Sequence, residues 1–225
     1  MRGKKQLMRY NCTEYSLENY KKLNKKITSI INDASSYFNF PIEKITHEII
    51  ENYCIEFYDY DYMYCNLSDK ANVFLGNMIR NNGKTIIGIN NNKNIPSEKK
   101  FHAKMHETTH SFIHCTSFDK SQDFNMLLHN FNYQPNEKID EIEADLGGLI
   151  FMLNDEALYS HLKLGYSYSY LKDFFKLSDE LLKTRLKMFL SYNCNSSELL
   201  SNIAIERFKS GDNISILSCV RNRIF

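Results

Sequence analysis

The chain has 225 residues, of which 43% are hydrophobic and 24% are charged, a composition typical of a globular protein with one sizeable core. Lys and Arg together number 28 against 27 Asp and Glu, which gives a formal net charge of +1. A dedicated nucleic-acid-binding protein normally carries a strong basic excess. We therefore expect no direct contact with nucleic acid.

The sequence also argues against a membrane protein. The longest uninterrupted apolar run covers residues 149–153, far short of the ~20 residues that a membrane-spanning helix needs. Polar residues follow the basic start of the chain, where a signal peptide would have its apolar core. The six cysteines are widely spaced without a CxxC pair, so no thiolate zinc site is indicated. We expect a cytoplasmic protein with free thiols and no membrane partner.

Residues 1–40 form a basic N-terminal segment. It contains eight Lys or Arg and three acidic residues, a local excess of +5 that leaves the remaining 185 residues with −4. We interpret this charge as a solvated helix face and terminus, with contact to nucleic acid or an acidic partner as the alternative. Four apolar residues repeat at helical spacing and predict that part of the segment packs on the core: Ile27, Ile30, Ile31 and Ala34.

The next predicted elements are a helix and a β-hairpin. Pro41 is typical of the first residue of a helix, which we predict to run through Ile45 and Ile50. Two β-rich runs, at 72–80 and 84–90, flank an Asn-Asn-Gly sequence. An Asn-Gly pair between two such runs is the strongest short-range signal for a hairpin.

The rest of the chain is predicted to be mainly helical. Ser97 is the predicted N-cap of a helix over about 98–115. After a loop, Pro135 opens a second helix that runs to Leu153 and carries an apolar stripe at Ile139, Ile142, Leu146, Leu149 and Ile150. The C-terminal helices include one capped by Ser178, with two acidic residues in its first turn.

Four of the seven histidines lie at intervals of four in the helix over 98–115, and His106 to His110 form an HExxH sequence. Side chains four residues apart on a helix are offset by ~40° and lie ~6 Å apart along the axis, so both imidazoles can face one ion. Zinc prefers such nitrogen ligands. Glu107 would lie beside the ion, where its carboxylate can act as the general base of a zinc hydrolase.

HExxH arises by chance in roughly 1% of chains of this length, so its context decides the interpretation. The motif follows the predicted hairpin and lies between apolar residues, as expected for a helix buried against a sheet. Helix histidines satisfied by water or backbone are the alternative. His102 and His114 are rotated away from the ion, so we predict neither as a ligand and expect them at the surface or around the ligands. Thr116 stands where HExxHxxGxxH has its last His, which excludes the metzincin pattern.

The second predicted helix supplies the third ligand, since a catalytic zinc has three protein ligands and one open position. Residues 137–145 contain five carboxylates and one Lys. Helical phase favours Glu141 as the ligand and Asp145, one turn later, as the carboxylate that binds the N–H of a ligand histidine. Glu143 and Glu137 are the alternative ligands, and a solvated acidic face is the alternative for the whole run. Small residues predict a close approach to the histidine helix: Ala144, Gly147 and Gly148.

Several motifs in order resemble a known family. Ile-Gly-Ile-Asn at 87–90 precedes HExxH at 106–110, which is followed by Glu-Ile-Glu-Ala-Asp at 141–145. Residues 174–186 add the sequence FFKLSDELLKTRL. In this combination the chain resembles the ImmA/IrrE-type metallopeptidase family over roughly residues 42–190.

Two departures from the family pattern leave the predicted ligands in place. Thr109 stands where the family usually has Gly, and residues 146–154 lack the family's Leu-Met-Pro turn, which bears on the shape of the substrate groove. The resemblance implies an α+β, gluzincin-like zincin fold in which a small β-hairpin or three-stranded sheet packs on the HExxH helix. We divide the chain into the basic, largely helical segment 1–40, a metallopeptidase domain at 41–160 and a helical region at 161–225.

The resemblance further implies a zinc endopeptidase with one Zn²⁺ per chain that cleaves a helix-turn-helix transcriptional repressor. Glu107 would take a proton from the attacking water and pass it to the leaving amine. His129 and Tyr133, in the loop between the two site helices, are candidate donors for the oxyanion. One alternative is a zincin-fold module that sequesters a regulator without cutting it. Another is a hydrolase of the same fold with a different substrate, such as a host protein.

Overall fold

The computed structural model describes residues 15–67, 74–115, 122–127 and 135–221, with 122–127 and 135–137 described by their backbone alone. The described chain is an α+β protein, mostly helical, with one small mixed sheet. None of the helices it describes is long and apolar enough to cross a bilayer. In chain order the elements are α1 (Leu17–Tyr37), a short 3-10 helix (Ile42–Lys44), α2 (His47–Tyr58), β1 (Asp61–Cys65), β2 (Phe74–Asn81), β3 (Lys84–Asn90), α3 (Ser97–Ile113), β4 (Gln122–Leu127), α4 (Pro135–Met152), α5 (Asp155–Lys163), α6 (Tyr168–Phe174), α7 (Asp179–Asn193), α8 (Glu198–Lys209) and α9 (Asn213–Val220).

Four strands form the sheet in the spatial order β1-β3-β2-β4. β1 runs parallel to β3, whereas β2 is antiparallel to both β3 and β4. The predicted hairpin is confirmed as β2 and β3, and its turn has Asn82 at φ 50° and Gly83 at φ 78°. Two successive left-handed residues are typical of the type I′ turn that Asn-Gly favours. The sheet is larger than the hairpin or three strands that we expected, because β1 and β4 pair with the hairpin's two edges.

Two predicted helix starts are wrong in detail. Pro41 precedes only the 3-10 turn, because the buried Ile45 is extended at ψ 123° and α2 begins at His47. Pro96, with ψ 144°, takes the N-cap position of α3, and Ser97 is the first helical residue rather than the cap. The carbonyl of Pro96 already accepts hydrogen bonds from backbone N–H groups of the first turn, so the helix starts one residue earlier than predicted.

The other predicted helices are present, but the apolar stripe predicted for α4 is wrong at Ile139, which is 49% exposed. The Ser178 hydroxyl accepts a hydrogen bond from the backbone N–H of Leu181 at 3.1 Å, as an N-cap does. The predicted apolar stripe of α1 lies in the core, where each of its four side chains is 9% exposed or less. One buried apolar cluster joins side chains of α1, the sheet, α3, α4 and the C-terminal helices. Within it, α3 packs both on the β2–β3 hairpin and on α4, so the histidine helix is held on two sides.

Candidate metal centre

Helices α3 and α4 approach each other closely because α4 carries two glycines at the contact. A Cβ added at Gly147 would lie 2.5 Å from Cγ2 of Thr109, which is closer than carbon atoms pack. A Cβ added at Gly148 would lie 3.0 Å from the backbone nitrogen of His106. The close approach predicted from these small residues is therefore confirmed, and it brings side chains of α4 to the HExxH histidines.

Three side chains from the two helices converge. His106 Nε2 and His110 Nε2 are 3.1 Å apart, and the two carboxylate oxygens of Glu141 lie 3.3 Å and 3.4 Å from them. Ligands held ~2.0–2.1 Å from a tetrahedral ion are ~3.3 Å from one another. These spacings fit a metal ion, and the three residues form a group whose ligand atoms all lie within 4.8 Å of one another.

The ring of His106 is oriented by a carboxylate of α4. Its Nδ1 lies 2.8 Å from Oδ1 of Asp145, which is 4% exposed. Burial raises the pKa of the Asp145 carboxyl well above its usual range. In the tautomer that carries its proton on Nδ1, His106 donates a hydrogen bond to this side chain. With its proton on Nδ1, His106 presents the lone pair of Nε2 toward His110 and Glu141.

The ring of His110 has a different set of neighbours. Its Nδ1 is 2.8 Å from Nδ1 of His114, and His114 Nε2 is 3.1 Å from Oε2 of Glu143. The Tyr15 hydroxyl donates to the other oxygen of Glu143 at 2.6 Å. The hydrogen bond from His114, and with it the one from Tyr15, keeps the pKa of Glu143 below its usual value although burial opposes this. Glu143 is thus engaged away from the three converging groups.

The carboxylate of Glu107 is fully buried against the sheet. A Cβ added at Gly76 of β2 would lie 3.3 Å from Cγ and 3.4 Å from Oε1 of Glu107, so this glycine leaves room for the carboxylate beside the strand. The backbone carbonyl of Gly88, on β3, bounds the same space at 3.2 Å. The sheet therefore restricts the positions that the Glu107 side chain can take.

Burial sets the ionisation of the converging groups. It lowers the pKa of His106, and it lowers that of His110 to about 4, because an imidazolium loses solvation inside the protein. Burial alone would raise the pKa of Glu141, but the neighbouring imidazoles, which donate to this carboxylate whenever an Nε2 atom carries a proton, bring it to about 2. A metal ion would take the place of such a proton. At neutral pH the group therefore consists of two neutral imidazoles and one carboxylate, the forms that bind a metal ion.

Of the predicted site residues, the structure brings together His106, His110 and Glu141, with Asp145 behind His106. His102 is buried, with Nε2 3.3 Å from the Asp145 carbonyl oxygen, and burial lowers its pKa to about 4. The two candidate oxyanion donors, His129 and Tyr133, lie outside the described residues, as does the side chain of Glu137.

Two further residues contribute to this site and were not predicted from the sequence. Tyr15 contacts Glu143 across 128 positions of the chain, and no local pattern indicates such a contact. Gly76 is an isolated glycine within a strand, which is a known sign of close approach by another group and was the available signal.

Comparisons of the chain with models of protein families, with curated proteins and with solved structures found no match. The resemblance to the ImmA/IrrE-type family therefore stays a prediction from motifs. What the chain does has to be argued from the chemistry of the site itself.

Proposed function

We propose that the protein is a zinc-dependent endopeptidase with a zincin-like fold. The observation that carries the proposal is the convergence of two imidazole nitrogens and one carboxylate at 3.1–3.4 Å, with Glu107 next to the first of them in the chain. A helix with HExxH, packed on a small mixed sheet and followed by a helix with the third carboxylate, supports the fold assignment.

The disposition of protons favours a cation at this position. In the tautomer in which His106 donates its Nδ1–H to Asp145, its Nε2 carries a lone pair that faces Nε2 of His110 at 3.1 Å. Such an arrangement is stabilised by a positive ion between the nitrogens. Two imidazoles with one carboxylate suit zinc, whereas magnesium and calcium take oxygen ligands almost exclusively. We propose one zinc ion per chain.

Zinc bound by these residues would polarise the scissile carbonyl and lower the pKa of a water molecule. Peptide hydrolysis adds one water across the C–N bond, with the oxygen going to the acyl carbon. In our proposal Glu107 accepts a proton from this water and delivers it to the leaving nitrogen as the C–N bond breaks. The packing of Glu107 at Gly76 supports this role, because a proton carrier must be held in a defined position.

We further propose that the substrate is a helix-turn-helix transcriptional repressor in the cytoplasm. The order of motifs that the chain shares with ImmA/IrrE-type peptidases supports this substrate class. The described cysteines, which are Cys54, Cys65, Cys115, Cys194 and Cys219, are all free thiols, as expected in a reducing compartment.

The test combines metal analysis with a cleavage assay. The zinc-loaded protein is incubated with the repressor encoded beside its gene, and mass spectrometry is used to find a discrete cut. We expect Glu107→Gln to keep about one zinc per chain and to lose cleavage, because only the proton carrier is changed. His110→Ala should lose both zinc and cleavage, because a ligand is removed.

Each outcome bears on a distinct part of the proposal. A wild-type chain that binds no zinc would refute the metal centre. Retained cleavage in Glu107→Gln would refute the assigned proton carrier. A repressor that binds the wild-type protein and is released uncut would identify a sequestering module instead of a peptidase.

A further inference from the structure

We infer that His114 is a positioning residue for the metal ligand His110, and that it acts through a hydrogen-bonded chain continuing to Glu143 and Tyr15. The inference rests on the metal centre of the proposed function and does not depend on the reaction or its substrate. It assigns a role to His114, the last of the four histidines spaced at intervals of four, which is not itself a candidate ligand.

The chain of contacts is continuous. His110 Nδ1 lies 2.8 Å from His114 Nδ1, and His114 Nε2 lies 3.1 Å from Oε2 of Glu143. Oε1 of the same carboxylate accepts the hydroxyl proton of Tyr15 at 2.6 Å. Both nitrogens of the His114 ring are therefore used, one toward the metal ligand and one toward a carboxylate.

For a neutral His114, the donors and acceptors along these contacts allow only one direction for the hydrogen bond between His110 and His114. The carboxylate of Glu143 has only acceptor atoms, so Nε2 of His114 must carry the proton that it receives. A neutral imidazole has one N–H, which leaves Nδ1 of His114 as an acceptor. The proton between the two Nδ1 atoms therefore belongs to His110.

This direction prepares His110 for a metal ion. With its proton on Nδ1, His110 keeps the lone pair of Nε2, the atom that faces His106 and Glu141. The hydrogen bond also fixes the rotation of the ring about its bond to the backbone. Outer hydrogen bonds of this kind hold the tautomer and orientation of metal-ligating histidines.

The two candidate ligand histidines are thus held by different contacts, but both contacts lead to carboxylates of α4. Asp145 contacts His106 directly, whereas Glu143 reaches His110 through His114. Glu141, which supplies the third candidate ligand, is on the same helix. Alternate residues of α4 therefore provide a ligand, a support for one histidine and a support for the other.

Tyr15 anchors the far end of this series of hydrogen bonds in the core. It is 6% exposed, and its backbone carbonyl accepts a hydrogen bond from the Tyr192 hydroxyl of α7 at 3.1 Å. Tyr192 in turn stacks on Tyr20 of α1 with ring centroids 4.1 Å apart. The N-terminal segment and the C-terminal helices therefore both contribute to the position of Glu143.

The test measures metal affinity directly. Zinc and cobalt dissociation constants are determined by competition with a chelator, and the visible spectrum of bound Co²⁺ reports the ligand geometry. We expect His114→Phe to weaken zinc binding about 10–100-fold, the usual effect of losing an outer partner of a ligand. His114→Gln should restore much of this affinity, because its amide oxygen can accept from His110 while its NH₂ donates to Glu143.

Controls separate positioning from general stability. His161→Phe changes a buried histidine whose Nδ1 bonds to the backbone carbonyl of Ala157, and it should leave zinc affinity unchanged. Glu143→Ala and Tyr15→Phe alter this series of hydrogen bonds at positions that do not contact His110 directly. Both should weaken zinc binding and shift the cobalt spectrum in the same direction as His114→Phe, even where His114→Phe itself folds poorly.

The outcomes distinguish this inference from the proposed function. Wild-type affinity and an unchanged cobalt spectrum in His114→Phe or Glu143→Ala would overturn the positioning role while leaving the metal centre intact. A wild-type protein without bound zinc would refute the metal centre itself. Zinc binding that depends on His114 in a protein without peptidase activity would uphold the inference and refute the proposed reaction.

Discussion

Thr109 of α3 and Gly147 of α4 fill the same contact between the two site helices. A Cβ added at Gly147 would lie 2.5 Å from Cγ2 and 2.8 Å from Oγ1 of Thr109, and 2.7 Å from Cδ1 of Ile27. The threonine therefore requires a glycine opposite it. This pairing explains how Thr109 is accommodated beside His110 without moving the two helices apart.

Gly147→Ala is expected to destabilise the protein by about 1–3 kcal/mol through overpacking. A loss of stability would be informative, because Ala is otherwise a better helix former than Gly by about 1 kcal/mol and would be expected to raise the free energy of unfolding. Urea unfolding of the metal-free protein measures the change. Thr109→Ala in the Gly147→Ala background should recover part of the loss, with the rest caused by Ile27. A Gly147→Ala protein as stable as wild type would contradict the close contact.

Asp145→Ala is expected to weaken zinc binding about 10–100-fold without removing a ligand, because the Nδ1–H of His106 loses its acceptor. Asp145→Asn should have a smaller effect, since its amide oxygen can still accept this proton. Chelator competition measures both. The exposed Asp173 gives a matched control, and Asp173→Ala should bind zinc as the wild type does. Equal affinity of Asp145→Ala and wild type would exclude a supporting role for this carboxylate.

Gly76→Ala is expected to reduce the turnover number about 10-fold or more while zinc content stays at the wild-type level, because the added Cβ displaces Glu107 rather than a ligand. The experiment pairs a cleavage assay with metal analysis. Ile79→Ala, at a position of β2 that is 37% exposed, is the control and should keep wild-type turnover. If turnover is unaffected by Gly76→Ala, the contact at Gly76 does not position the proton carrier.

The burial of His47, which lies outside the candidate metal centre, predicts that the stability of the protein depends on pH. Its ring stacks on Phe101 with centroids 4.3 Å apart, and neither nitrogen has a hydrogen-bond partner among the described residues. Burial lowers its pKa to about 3, and the charges of Lys104 and Lys176 act in the same direction. The unfolded chain binds this proton below its ordinary pKa of about 6.5, while the folded chain does not bind it until about 3. Stability from this group is therefore complete above pH 6.5 and is lost progressively as the pH falls toward 3.

His47→Phe keeps the ring contact and removes the titrating group. We expect its advantage over wild type, measured by urea unfolding of the metal-free proteins, to grow by about 1–2 kcal/mol between pH 7.5 and pH 5. A difference between the two proteins that stays constant with pH would show that His47 takes up a proton in the folded state as readily as in the unfolded state.

Features set by neighbouring residues were predictable from the sequence. The hairpin follows from the backbone freedom of Asn82 and Gly83, and the orientation of His106 and His110 follows from the four-residue spacing on a helix. A contact between Asp145 and one of the two histidines was also predicted, because helical phase places Asp145 one turn after Glu141, and the structure shows that the histidine is His106. Such features depend on a few consecutive residues and can be predicted without knowing how the elements pack.

The sheet edges depended on tertiary structure. β1 pairs with β3 in a parallel register, and β4 pairs with β2 although α3 lies between them in the sequence. The segment of β4, Gln122–Leu127, was predicted to be part of a loop of mixed character. It forms a strand because the edge of β2 offers backbone hydrogen-bond partners, and a partner distant in the chain leaves no local signal.

The sequence by itself determined that the chain carries two histidines spaced to face one ion, an adjacent carboxylate and a nearby acidic helix. Only the tertiary structure decided between Glu141 and Glu143, because side chains two positions apart on a helix point in different directions and the helix rotation depends on packing at Gly147 and Gly148. It also linked Tyr15 to the site across 128 positions. The physical reason is that a ligand set requires distances of a few ångströms between separate elements, and these distances are set by how the elements pack.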